Sequence, residues 1–167
     1  MGIYSIPTDI VHKEIDLIQN CINRMVSNSF LIKGWAITLV AALIALLADK
    51  VDAYVIAALA IIILVCFWSL DAFFLKAEHF YRKKYEWVIQ MRIQGITDYL
   101  YDLNPYNEHM WLKKEDGNIN ISQIMFSKAL VLFYGIPLIV SILTVVLNLV
   151  IVVSINDCMY SDIMIPK

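Results

Sequence analysis

From Ala129 to Asn156 the chain runs 28 residues without a charged side chain. About 20 apolar residues in a helix are enough to span the hydrocarbon core of a bilayer, and a buried helix of a soluble domain has no use for so long a run. Two shorter uncharged runs, Gly34–Ala48 and Ala53–Leu70, stand earlier in the chain. Hydrophobic residues make up 60% and charged residues 17% of the 167 positions, against roughly 45–50% and 25% in soluble domains. That excess is gathered in blocks and not spread at the intervals of a soluble core, which favours membrane spans. The expected fold is therefore an all-α integral membrane protein, a single domain over residues 1–167 with three transmembrane helices and long cytoplasmic helical extensions.

Helical rise sets the span limits. Gly34–Ala48 covers only about 22 Å, less than a hydrocarbon core of about 30 Å. Extending it back to residue 30 restores the length if Lys33 snorkels to the interface. The first span is then 30–48, and the linker Asp49–Lys50–Val51–Asp52 leaves room only for a tight helical hairpin. The second span runs over 53–75 with Asp71 in its last turns. The third, 129–155, is long enough to tilt, and Gly135 with Pro137 can kink it. Residues 156–167 form a tail.

All of the 13 Lys and Arg residues except Lys50 and Lys167 fall on one side of this arrangement. The cation-rich side is the cytoplasmic one. The N-terminus is thus expected in the cytoplasm, with the hairpin and tail outside and residues 76–128 as a cytoplasmic segment. A secretory signal peptide is not expected, because 33 residues precede the first apolar run.

In the segment over residues 8–30, Thr8 or Asp9 after Pro7 can cap a helix. Val11, Ile15, Ile18, Ile22, Met25, Ser29 and Ile32 follow in steps of four and three, a seam for packing against another helix. The competing arrangement is a helix lying on the membrane surface, but Asp9, Glu14 and Asp16 dilute the basic face such helices prefer. After the second span the helical pattern continues to about Tyr101, with Phe74, Ala77, Tyr81, Tyr85, Val88 and Met91 as its apolar stripe. Glu78–Arg82 and Arg82–Glu86 have the spacing of helix-surface ion pairs. Asn104–Pro105 is expected to end this helix. Met110–Lys113 and Asn118–Ile121 then flank a small β-hairpin or polar loop, and Ser122 is placed as the cap of the third long helix.

Four groups of residues invite a functional reading. On the third span Ser127, Tyr134, Ser141 and Asn148 recur every seven residues, with Thr144 between, so an unbroken α-helix puts them on one narrow face. This stripe either lines a pore built by several copies or hydrogen-bonds neighbouring helices. Asp71 at the membrane edge needs a partner; Lys33 is within reach and Lys128 competes, and a proton-relay role is the alternative to an ion pair. Arg82, Lys83, Lys84 and Arg92, interleaved with Tyr81, Tyr85 and Trp87, can contact anionic lipid or hold a phosphorylated ligand or strand. Finally, His12, His79 and His109 lack metal-ligand spacing, and His79 is expected on an exposed face. No glycine-rich phosphate loop or nucleophile set occurs, so neither enzyme nor cofactor is expected. Cys21, Cys66 and Cys158 are too scattered for a disulfide framework or a zinc site.

Leu70–Asp71–Ala72, Leu75, Glu78, Arg82 and Tyr85 together resemble a stretch of small bacterial membrane effectors from antiphage operons, the channel subunit of the Hailong system among them. There a span ends in Leu-Asp-Ala and leads into a charged helix with Glu, Arg and Tyr at these offsets. The likeness covers only Leu70–Tyr85. It implies an oligomeric ion channel, held closed until a nucleotide or oligonucleotide signal from a partner nucleotidyltransferase opens it, with Arg82 nearest the signal. The expected function is an oligomeric membrane channel or pore-forming effector gated through its cytoplasmic helices. The rival is a non-conducting scaffold that recruits a soluble partner.

Overall fold

The computed structural model describes residues 7–113, 117 and 119–163, the stretch 156–163 by its backbone alone. Every regular element among them is helical: α1 Thr8–Leu47, α2 Ala53–Ile93, a 3₁₀ turn Glu108–Met110, α3 Ile121–Met125, α4 Lys128–Leu130, a π-helical segment Val131–Gly135, and α5 Ile136–Ile163. Three helices, Thr8–Leu47, Ala53–Ile93 and Lys128–Ile155, are long and apolar enough to cross a membrane. The chain groups into two compact units, one holding residues up to Lys33 with Ser69–Ser127, the other Gly34–Trp68 with the chain from Lys128 onward.

In the first unit α1 begins directly after Pro7. The Pro7 carbonyl accepts from the N–H groups of Ile10 and Val11 at 3.0 and 3.4 Å, so Thr8 and Asp9 lie inside the helix. The heptad seam packs as expected of a helix interface: Ile18, Ser29 and Ile32 are buried, and Val11, Ile15, Ile22 and Met25 half-buried. Ile18 meets Trp87 and Val88 of α2 and Met110 of the 3₁₀ turn in one cluster, flanked by Leu103 and Leu112. Removing a fully buried Ile or Val from water contributes about 1.5–3 kcal/mol.

Helix α2 ends at Ile93, short of the expected Tyr101, and the physical reason is Gly95. Its φ of +76° is left-handed. The Ile96 N–H donates to Met91 O at 3.0 Å, and the Gly95 N–H to Arg92 O at 3.1 Å. This 6→1 and 5→2 pair is the Schellman closure that a glycine at this position allows. The chain beyond is a series of side-chain-capped turns. Asp102, Asn104 and Asn107 each accept from the N–H two residues on, at 2.7, 3.1 and 3.1 Å. These local bonds replace a β ladder: residues 107–113 form the 3₁₀ turn and coil, not a strand, while Lys114–Asp116 and Asn118 lie outside the described residues. Trp111 lies over Gly117, where a Cβ would sit 1.9 Å from the indole. Asn120, not Ser122, stands at the N-cap of α3, its N–H donating to Gln123 Oε1 at 3.3 Å.

In the second unit the buried positions pair small residues, Ala36, Ala57, Ala60 and Gly135, with large ones, Leu64, Trp68, Leu130 and Tyr134. Small side chains let helices approach closely where lipid supplies no hydrophobic drive. The opposite faces are open and apolar, as at Ile37, Leu46, Ile62, Leu132 and Leu147. Such continuous apolar surface suits a hydrocarbon solvent and not water.

Candidate functional site

Asp71 is completely buried on α2. Ser29 Oγ donates to its Oδ1 at 2.5 Å, Lys33 Nζ stands 2.6 Å from its Oδ2, and Lys33 Nζ also donates to Ser29 Oγ at 2.8 Å. Ser29 and Lys33 are one helical turn apart on α1, so both reach the same carboxylate. The three side chains close a triangle that satisfies the acid from two sides, as an ion at the edge of a hydrocarbon region requires. Lys33 is the cation that meets Asp71.

A second buried pair was not legible in advance. Arg92 Nε donates to Glu14 Oε2 at 2.8 Å and Arg92 Nη2 to Oε1 at 2.9 Å, with both side chains almost wholly buried. The remaining guanidinium hydrogens reach the carbonyls of Ile96 and Asp98 at 2.5–3.2 Å. Glu14 Oε1 also accepts from the Tyr101 N–H at 3.0 Å, which helps hold the left-handed Tyr99 and Tyr101, φ 55° and 59°. The bidentate fork orients α1 against α2 and ties down the turn after Gly95. The available signal was a glutamate and an arginine interrupting two apolar stripes.

The basic run is accordingly divided. Lys84 is buried, with Nζ donating to Asn104 O at 2.8 Å and standing 3.4 Å from Asp102 Oδ1. Burial pushes the Lys84 ammonium below its ordinary value, against the opposing pull of Asp102. Burial would raise the Asp102 carboxyl, but hydrogen bonds from Asn107 and Asn104, with Lys84, hold it below the usual carboxylate range. Lys84 and Arg92 are therefore internal struts and do not form the surface patch that interleaved basic and aromatic residues predict. Arg82 remains exposed, paired with Glu78, and Lys83 pairs with Glu86 at 3.2 Å instead of Arg82 doing so. Arg82 lines a surface groove of about 470 Å³ with Gln19, Ile22, Asn23, Tyr85 and Glu86. Gln19 Nε2 donates to Tyr85 Oη across it at 3.3 Å. Two amides, a phenol, a guanidinium and a carboxylate make this a hydrogen-bonding groove of mixed charge.

On α5, Ser141, Thr144 and Asn148 are half-buried together with Pro137, Leu138 and Val145, whereas Ile139, Val140, Leu143, Val146 and Leu147 are exposed. The polar stripe thus lies on the covered face of the helix. Thr144 Oγ1 donates to the Val140 carbonyl at 3.0 Å, satisfying itself within the helix. Tyr134 is buried and stacks on Trp68, ring centroids 6.2 Å apart and 10° between planes. Ser127 falls off the stripe: it is a bend between α3 and α4. The seven-residue rule assumed unbroken α-helix, and the π segment breaks that assumption.

His79 is half-buried against Phe80 and not on an open face, and its Nε2 has no hydrogen-bond partner among the described residues. No group of three or more His, Cys, Asp or Glu among the described residues could hold a metal ion. Cys21 is half-buried and Cys66 exposed, both as free thiols.

Fold and site together define a helical protein with three helices able to cross a membrane and two buried ion pairs joining the first two. No protein-family model, curated protein or solved structure matches the chain.

Proposed function

We propose that the protein is a homo-oligomeric channel of a bacterial inner membrane, gated through its cytoplasmic helices and serving as an effector in antiviral defence. The single observation that carries the channel reading is the third span. Its mid-span polar residues, Ser141, Thr144 and Asn148, share one half-buried face with Pro137, Leu138 and Val145, while the other faces carry exposed apolar side chains and Ser154 near the end is exposed. Three helices of one chain do not enclose an aqueous path, so conduction takes several copies. The distribution of Lys and Arg supports a cytoplasmic N-terminus and an outer C-terminus. Arg82, open in its groove, is the contact for a nucleotide or oligonucleotide signal from a partner nucleotidyltransferase.

Ion flux through purified protein in liposomes is expected to fall several-fold or change selectivity in Asn148→Leu. Conductance unchanged by that substitution removes the pore assignment. The half-burial of the stripe within one chain favours a second reading, a non-conducting scaffold that recruits a soluble partner. Under it Arg82→Glu with Lys83→Glu abolishes partner capture, and no variant alters leak.

A further inference from the structure

We propose that the π segment Val131–Gly135 is a register switch whose return to α-helical bonding rotates the polar stripe of α5 out of its covered position. The proposal rests on the channel reading for its consequence, but its geometry stands apart from it. A π turn inside an α-helix accommodates one residue more than the α register does. Losing that turn without losing the residue advances everything downstream by one position, which is about 100° of rotation and 1.5 Å of rise.

The local sequence explains why the turn sits here. Pro137 follows it closely, lacks an N–H, and in a regular helix its ring meets the carbonyl four residues earlier, that of Phe133. Widening the preceding turn moves that carbonyl aside. Gly135 lies inside the segment, and a Cβ there would meet only Val131 Cγ1, at an ordinary 3.5 Å. The π register itself thus admits a side chain at Gly135, and what opposes the α register is chiefly Pro137.

The rotation has a defined result. The covered positions are now 137, 138, 141, 144, 145 and 148. One residue of advance brings 136, 137, 140, 143, 144 and 147 to that face. Ile136, Val140, Leu143 and Leu147, exposed at present, become covered, and Ser141 and Asn148 turn outward to where a second copy of the helix would meet them. Covered and uncovered faces exchange apolar for polar, so the switch converts a sealed lipid-facing helix into one with a polar outer edge.

Spin labels placed singly at Val140→Cys, Ser141→Cys and Leu147→Cys, in protein with Cys21, Cys66 and Cys158 replaced by Ser, report collision with lipid-dissolved oxygen independently of ion flux. In the parent and in a variant lacking Leu132, which fixes the α register with the present facing, labels at 140 and 147 should be accessible and the label at 141 shielded. Pro137→Ala restores the missing N–H and should move this pattern by one residue, shielding 140 and 147 and exposing 141. Pro137→Leu also restores the N–H, should move the pattern in the same direction, and serves if the alanine variant does not assemble. An oxygen pattern unchanged in a folded Pro137→Ala or Pro137→Leu protein overturns the switch. A shifted pattern with no Asn148-dependent flux keeps the switch and removes the pore, whereas Asn148-dependent flux with an unshifted pattern does the reverse.

Discussion

At the scale of single residues, burial has turned charges that look like ligands into struts. The Lys84–Asp102 pair shows this in its pH dependence. Asp102 titrates below its ordinary 3.8 in the folded chain. Between the lowered value and 3.8 the unfolded chain therefore holds a proton that the folded chain does not, and stability falls as pH falls through that window. Lys84 gives a slope of the same sign at the alkaline end. Its folded value lies below 10.5, so stability rises with pH between the two values. Asp102→Asn should flatten the loss of thermal midpoint of detergent-solubilised protein between about pH 5 and pH 2, relative to the parent. Equal acid slopes in the two proteins would contradict the assignment. The Lys33–Asp71 contact was readable by counting residues outward from the hairpin turn, because helical rise fixes depth. Glu14 and Arg92, 78 positions apart, carry no such ruler; only the packing of α1 on α2 brings them together.

Among the elements, helix ends were harder to place than helix existence. The long apolar runs and the heptad seam fix α1 and α2, since periodicity over so many residues has one solution. The end of α2 was instead decided by one glycine, whose left-handed conformation outweighed the apolar pattern continuing through Ile96 and Tyr99–Tyr101. Gly95 has open space around it, so Gly95→Ala tests conformation without a clash. It should cost roughly 1–2 kcal/mol, the penalty of a left-handed backbone for an L residue with a Cβ, read as a lowered unfolding midpoint. A midpoint equal to the parent's would show that the Schellman closure is dispensable. The π segment was out of reach for the same kind of reason. Proline and glycine announce a disturbance, but the choice between a kink, a break and a wider turn depends on what surrounds the helix. Ser127 stands in the bend before α4 and not in the helix that carries Ser141, Thr144 and Asn148.

For the whole molecule, the three helices long and apolar enough to cross a membrane were legible, because hydrocarbon thickness sets a length that only long stretches of sequence meet. Oligomer formation and the use made of the polar stripe depend on surfaces between copies, which composition does not encode. The orientation is open to direct measurement. With the native cysteines replaced, Lys50→Cys should react with a membrane-impermeant maleimide on intact cells, and Lys113→Cys only after lysis. Reaction at both positions in intact cells would overturn the three-crossing arrangement and the channel reading with it. The turn Ala48–Asp52 between α1 and α2 carries one further implication. On the proposed three-crossing reading, a turn this brief offers an antibody or a protease little purchase in the compartment it faces. A macromolecule that commands the protein would then find the larger folded surface on the opposite side, in the segment after α2.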